Sequence, residues 1–134
     1  MKRTTRVLVA IFAAVLLSAG PALAALPLIV GTSAGERITG TKNAEEIRGL
    51  GGADEITDGL GKDLVYGGKG ADNLIGYGGD TSLDRFYGGH GNDIVQPRDV
   101  PAVKDVVSCG AGTDTVYADK ADVVRDNCER VKAR

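Results

Sequence analysis

Two patterns of apolar residues divide the chain. Residues 7–19 form one apolar run, whereas from residue 31 onward large apolar residues recur at intervals of about nine residues. Each of these follows a Gly-rich stretch of about six residues, which predicts a turn and then a three-residue strand whose middle side chain points to one face. Ten such units cover residues 31–125 without a gap. The pattern therefore predicts an all-β protein built from short repeats.

The N-terminal segment, residues 1–24, has the organisation of a secretory signal peptide. Three basic residues come first, the apolar run follows, and residues 22–24 read Ala-Leu-Ala, an A-x-A cleavage pattern. The run of 13 residues is shorter than the ~17–25 that span a bilayer, which weakens the alternative of a membrane anchor. We expect a secreted chain with no membrane span, in which residues 25–30 lead into the repeats.

The repeating unit is a nonapeptide, G-G-x-G-x-D-x-U-x, in which U is a large apolar residue. Residues 67–75 and 88–96 match every position. Partial matches, expanded units of twelve residues and one unit of eight complete the series: 31–39, 40–48, 49–57, 58–66, 76–87, 97–108, 109–117 and 118–125. A motif that fixes five positions of nine and recurs in tandem is far more specific than a single Gly-rich match.

These units resemble the RTX, or haemolysin-type, calcium-binding nonapeptide repeat. The resemblance covers nearly all of the chain after the signal peptide, and the C-terminal stretch looks like the end of small exported actinobacterial proteins of this type. It implies a right-handed parallel β-roll, a β-solenoid of about ten half-coils, with Ca²⁺ as the cofactor. Two half-coils make one coil, so every second unit stacks 18 residues apart.

In the nonapeptide the acid stands at position six and the large apolar residue at position eight. Because every second unit stacks (the 18-residue rule), the position-six acids form two columns and the apolar residues form two ranks. The first acid column contains Glu36, Asp54, Asp72, Asp93 and Asp114, and the second contains Glu45, Asp63, Asp84, Asp105 and Asp122. The matching apolar ranks are Ile38, Ile56, Leu74, Val95 and Val116, and Ile47, Val65, Phe86, Val107 and Val124. We expect the two ranks to face each other inside the roll. Both expanded units fall in the second column and become neighbours.

Calcium suits the acid columns. Coils ~4.8 Å apart bring like charges close, and at ~5 Å these repel by about 3 kcal/mol at an effective dielectric of ~20. Ca²⁺ accepts the carboxylate and carbonyl oxygens that Gly-rich turns offer. Zinc lacks its usual nitrogen and sulfur ligands, because His90 is the single His. The predicted metal residues are Gly49, Gly51, Asp54, Gly59, Gly61, Asp63, Gly67, Gly68, Gly70, Asp72, Gly88, Gly89, Gly91, Asp93, Gly110, Gly112 and Asp114.

Motif quality separates strong sites from weak ones. Residues 31–48 have Glu in place of Asp and poorer turns, so we expect an N-terminal cap there. Whether the expanded units around Asp84 and Asp105 bind Ca²⁺ stays open. The pair Cys109 and Cys128 is expected to form a disulfide, since an even count in an exported chain favours one, with free thiols as the alternative. The bond would tie the last turn to residues 126–134, a C-terminal cap or tail.

Composition narrows the function classes. The net charge is −2, and falls to −5 without the three basic residues of residues 1–24, so no basic surface indicates nucleic acid. One His and two paired Cys do not assemble a nucleophilic triad, and the even spacing of the carboxylates is explained by the repeat, so we expect no enzyme. The alternative is a metal-independent structural or adhesion solenoid. A cell-surface or matrix partner would be of unknown identity.

Overall fold

The computed structural model describes residues 25–134 together with the short strand Ile11–Phe12. The remainder of the predicted signal peptide, residues 1–24, lies outside the described residues. No helix long and apolar enough to cross a bilayer occurs in the described part of the chain. The strands are β1 Ile11–Phe12, β2 Leu28–Val30, β3 Arg37–Thr39, β4 Glu46–Gly51, β5 Glu55–Thr57, β6 Leu64–Lys69, β7 Asn73–Ile75, β8 Arg85–His90, β9 Ile94–Gln96, β10 Val106–Ala111, β11 Thr115–Ala118, β12 Val123–Val124 and β13 Arg130–Ala133.

The strands alternate between two parallel sheets. One sheet has the order β1-β2-β4-β6-β8-β10-β12, and the other has the order β13-β11-β9-β7-β5-β3. All pairings are parallel apart from the antiparallel β1–β2 pair. The predicted all-β parallel β-roll is therefore confirmed.

The register follows the predicted stacking of every second unit, with a spacing of 18 residues that lengthens by three where an expanded unit intervenes. Ile38 pairs with Ile56 and Leu74 with Val95 in one sheet, and Val65 pairs with Phe86 in the other. The two apolar ranks are buried between the sheets, with every member from Ile38 to Val116 at most 1% exposed. Val124 also packs against the core but is only partly buried, because β12 is the last strand of its sheet.

The roll has about six turns, one more than ten half-coils would make. The additional strands are β2, which lies in the predicted lead-in and adds Ile29 to the core, and β13, which lies in the predicted tail and pairs with β11. The lead-in is apolar but has no Gly-rich turn, and the tail has Val131 as its one large apolar residue, so neither segment matches the repeat that predicts the other strands.

The strands of the two sheets differ in length. In the six-stranded sheet most strands have three residues, as predicted. In the seven-stranded sheet four strands have six residues each: β4, β6, β8 and β10. In these four the pairing continues past the inward apolar residue into the first residues of the next turn, as between Leu50 and Gly68 and between Gly51 and Lys69. The turn glycines therefore lie close to the backbone of the neighbouring coil.

The predicted disulfide joins Cys109 to Cys128 and fastens the last turns together. The expanded units 76–87 and 97–108 lie side by side, as the 18-residue rule predicts. The Gly76 N–H donates to the Gln96 carbonyl oxygen at 2.9 Å. Their additional residues line one edge of the roll.

Candidate metal centre

The turns need glycine at the second and fourth positions of the repeat. Gly68 and Gly70 have φ values of +111° and +122°, and the equivalent glycines of the other well-formed turns are also positive. L-residues rarely adopt this conformation. A Cβ on Gly68 would lie 2.5 Å from the Leu50 carbonyl oxygen. In the unit 49–57 the second position is Leu50, which adopts a positive φ of +75° although it is not glycine.

Each aspartate at position six bridges to the previous coil through one carboxylate oxygen. The Asp72 Oδ1 accepts the Asp54 N–H at 2.9 Å, and the Asp93 Oδ1 accepts the Asp72 N–H at 2.9 Å. The first column continues in the same way through Asp114 to Glu129, whose Oε2 accepts the Asp114 N–H at 2.9 Å. The bonds align the acids of a column one above the other.

The second oxygen of these acids has no partner among the described residues. It is the buried Oδ2 atom of Asp54, Asp72, Asp93 and Asp114. A buried acceptor without a partner costs about 1–3 kcal/mol, so each such atom indicates a missing ligand.

Three of these oxygens, those of Asp54, Asp72 and Asp93, face a space that only glycine leaves open. A Cβ on Gly67 would lie 2.5 Å from Asp72 Oδ2 and 2.6 Å from the carbonyl oxygen of Gly88 in the next coil. Gly49 and Gly88 have the same surroundings, with the carbonyl oxygens of Gly67 and Cys109 respectively. A carboxylate oxygen and a carbonyl oxygen thus approach one another, and this oxygen-only donor set fits Ca²⁺.

Burial makes these carboxylates reluctant to ionise. Desolvation by burial, with a smaller contribution from neighbouring acids, raises the pKa of Asp54 to about 6. The pKa of Asp93 is also raised to about 6 by burial and by the charges of Asp72 and Asp114. The pKa of Asp72 is raised by burial. A bound cation would offset these costs.

The two Glu residues at position six behave differently from the Asp residues. The Glu36 Oε2 accepts the Thr32 N–H at 2.7 Å, and its Oε1 accepts the Thr32 hydroxyl at 2.8 Å. Glu45 makes the same two bonds with Thr41. The longer side chain reaches back to its own turn, where Thr replaces the second glycine. These turns have their acid satisfied without a cation.

The second column contains the densest carboxylates. Asp63 is fully buried, its Oδ1 accepts the Glu45 N–H at 2.7 Å, and its Oδ2 has no partner. Two groups of three acids each have one oxygen per residue within 4.8 Å of the others, and these Asp clusters can hold a metal ion: Asp58, Asp63 and Asp84, and Asp84, Asp99 and Asp105. Burial and neighbouring acids raise the pKa of Asp63 and Asp84 to about 8 and that of Asp105 to about 9.

The predicted site residues are therefore brought together in two stacked columns rather than in one pocket. The four aspartates of the first column and the glycines of their turns lie together, and Asp63 with Gly59 and Gly61 lies in the second. Sequence reasoning missed Asp58, Asp99 and Glu129. Asp58 could have been noticed, because it is an acid where the repeat has its first glycine. Asp99 lies in an insertion for which the repeat gives no expectation.

The fold and the donor set define a class of protein, a parallel β-solenoid whose Gly-rich turns stack buried aspartates. The sequence profile of the RTX calcium-binding nonapeptide repeat matches in four copies, over residues 39–74, 48–83 and 79–96. Residues 39–96 of this chain consist of RTX repeats, and such repeats bind Ca²⁺. No curated protein and no solved structure matches the chain significantly.

Proposed function

We propose that this chain is a secreted calcium-binding β-roll protein in which Ca²⁺ lies between stacked Gly-rich turns and stabilises the fold, without catalysis. The observation that carries the proposal is the unpartnered, buried Oδ2 of each Asp in the first column. The Oδ2 atoms of Asp54, Asp72 and Asp93 each face a carbonyl oxygen of the next coil across a glycine. A side-chain carboxylate oxygen and a backbone carbonyl oxygen on the two sides of this space can serve as the first two ligands of a bound Ca²⁺ ion.

The best sites are expected at Asp54, Asp72, Asp93 and Asp114, with Asp63 as the second-column site. Their turns have the positive-φ glycines that let carbonyl groups approach the ion. The turns of residues 31–48 are proposed as a cap that binds no ion, because Thr32 and Thr41 already satisfy Glu36 and Glu45.

The Cys109–Cys128 disulfide supports an extracellular location, where such bonds persist. Calcium modules that work outside the cell have dissociation constants of about 10⁻⁴–10⁻³ M. We therefore propose that residues 1–24 are removed on export and that the roll of residues 31–125, between the lead-in 25–30 and the tail 126–134, binds Ca²⁺ after export. A cell-surface or matrix partner is an extension of this proposal.

The test replaces both Asp72 and Asp93 by Ala and measures Ca²⁺ uptake by equilibrium dialysis. The expected result is a loss of bound Ca²⁺ and of Ca²⁺-induced stability. Asp126→Ala is the matched control, because Asp126 is exposed and outside both columns. Unchanged uptake and unchanged stability in the double variant would contradict the proposal.

The second candidate is a metal-independent structural or adhesion solenoid. The Thr–Glu pairs of residues 31–48 favour it, since they show that a turn of this roll can satisfy its acid without metal. The same dialysis experiment separates the two candidates, because a metal-independent roll would take up no Ca²⁺ in any variant.

A further inference from the structure

The two expanded units bring together an acidic group that the nonapeptide does not contain. We name it the expanded-unit cluster and define it as Asp58, Asp63, Asp84, Asp99 and Asp105. Its two trios each place three carboxylate oxygens within 4.8 Å of one another, and Asp84 belongs to both. Asp58 and Asp99 are not position-six residues, so the repeat alone does not explain them.

Asp58 and Asp63 provide an observation that is independent of the clustering. Both side chains are 0% exposed, and the Oδ2 atom of each has no partner. Asp58 takes the place that glycine has in the first column, and its Oδ1 accepts the Tyr77 N–H at 2.8 Å. Its other oxygen is thereby held near Asp63 and Asp84.

No salt bridge to this cluster occurs within residues 25–134. The ion pairs found in residues 25–134 are Arg37–Glu55 and Arg48–Glu46, and both lie outside the cluster. The buried Oδ2 atom of Asp99 also has no partner. Three close carboxylates in a buried place need a cation or protons to offset their repulsion.

Asp80 shows what a purely structural acid looks like in the same region. It is also buried, but its Oδ2 accepts the Gly61 N–H at 2.9 Å and its Oδ1 accepts the Thr81 and Ser82 N–H groups. Both oxygens of Asp80 therefore hold the inserted loop in place. The cluster acids differ from Asp80. Asp58, Asp63 and Asp99 each keep one oxygen without a hydrogen-bond partner, and the carboxylates of each trio lie close to one another.

We propose that the expanded-unit cluster is a second kind of cation site, in which aspartate side chains bind Ca²⁺ at two adjoining positions that share Asp84. Carboxylate oxygens are ligands for hard cations, and a buried site with few waters favours Ca²⁺ over Mg²⁺, which gives up its water reluctantly. The site goes beyond the turn sites, since it uses side chains from the insertions. It rests on the proposed function in that Ca²⁺ is the cation and Asp63 is already assigned to a second-column site; Asp58 and Asp99 are the new ligands.

The test counts bound Ca²⁺ per chain by equilibrium dialysis of the full, oxidised protein at a fixed free Ca²⁺ concentration. We expect Asp58→Asn and Asp99→Asn each to lose one ion, and the double variant to lose two. Asp126→Asn is the matched control and should lose none. Asp99→Asn serves as the second variant if Asp58→Asn does not fold, which circular dichroism in saturating Ca²⁺, compared with the wild type, checks.

The turn proposal and this one fail in different ways. A double variant Asp58→Asn/Asp99→Asn that binds as many ions as the wild type would overturn the cluster site, whatever Asp72→Asn does. If Asp72→Asn keeps every ion while the cluster variants lose theirs, the turn proposal fails and the cluster site stands. Terbium luminescence gives a second readout, because Tb³⁺ held by three carboxylates should retain fewer bound waters than the same ion in the cluster variants.

Discussion

Replacing Asp72 by Asn should have opposite effects on stability with and without calcium. The amide oxygen can still accept the Asp54 N–H that Asp72 Oδ1 accepts at 2.9 Å. The substitution replaces the unpartnered buried oxygen by an amide NH₂ group, which can donate toward the Gly88 carbonyl oxygen on the same side of Gly67, and it removes a charge that raises the pKa of both Asp54 and Asp93. A buried acceptor without a partner costs about 1–3 kcal/mol. In chelator, Asp72→Asn should therefore unfold at the same temperature as the wild type or higher.

In calcium the order reverses. A ligand at 100 times its dissociation constant stabilises the folded state by ~2.7 kcal/mol per site. Since ~1 kcal/mol corresponds to about 4 °C for a domain near this size, the wild type should gain about 10 °C per site that Asp72→Asn loses.

The assay is thermal unfolding followed by circular dichroism, in chelator and in saturating Ca²⁺. Asp126→Asn makes the same chemical change at an exposed position and should track the wild type in both conditions. If Asp72→Asn gains as much from Ca²⁺ as the wild type does, the carboxylate is not a calcium ligand and the reasoning is refuted.

Three further predictions concern the backbone, the acids and the disulfide. Gly68→Ala should lower the free energy of unfolding by about 2–3 kcal/mol, because the new Cβ would sit at a positive φ and too close to the Leu50 carbonyl oxygen. In Gly51→Ala the atom nearest to the new Cβ would be 3.7 Å away, so this variant should change stability by less than ~0.5 kcal/mol. Chemical denaturation measures both, and equal costs would refute the prediction. Burial raises the pKa of Asp63 and Asp84 to about 8 from 3.8, so the folded apoprotein holds more protons than the unfolded chain across that window. Its melting temperature in chelator should fall from pH 4 to pH 8, and saturating Ca²⁺ should remove that fall; a rise in chelator would contradict it. Reduction of Cys109–Cys128, which lie 19 residues apart, should cost about 3 kcal/mol, and an unchanged denaturation midpoint would contradict this.

Most of the roll could be predicted because each unit repeats one physical solution. The apolar residue at the eighth position of each unit fixes the inward face, and the stacking of every second unit fixes the partner, as with Leu74 and Val95 on either side of the expanded unit 76–87. The lengths of β4 and β6 could not be predicted, because turn glycines pair with the next coil only through backbone atoms. Residues at the ends, such as Ile29 and Val131, lack neighbouring repeats that would establish their register.

The candidate site was predictable only where it follows the repeat. Asp72 and Asp93 occupy position six of complete motifs, so their stacking follows from the spacing. The grouping of Asp84 with Asp99 depends on the path of two inserted loops, which no periodicity describes. The pairing of Thr32 with Glu36 could not be predicted either, because the spacing of the repeat does not indicate that the longer Glu side chain bonds within its own turn.

The central claim is that Ca²⁺ stabilises the roll by binding between its turns. Its most direct test is far-UV circular dichroism of the oxidised protein in chelator, then in millimolar Ca²⁺, with Mg²⁺ as the control. The account predicts a gain of β signal or a higher melting temperature with Ca²⁺ and little change with Mg²⁺. A β-rich spectrum and melting temperature that are the same in chelator and in Ca²⁺ would contradict it.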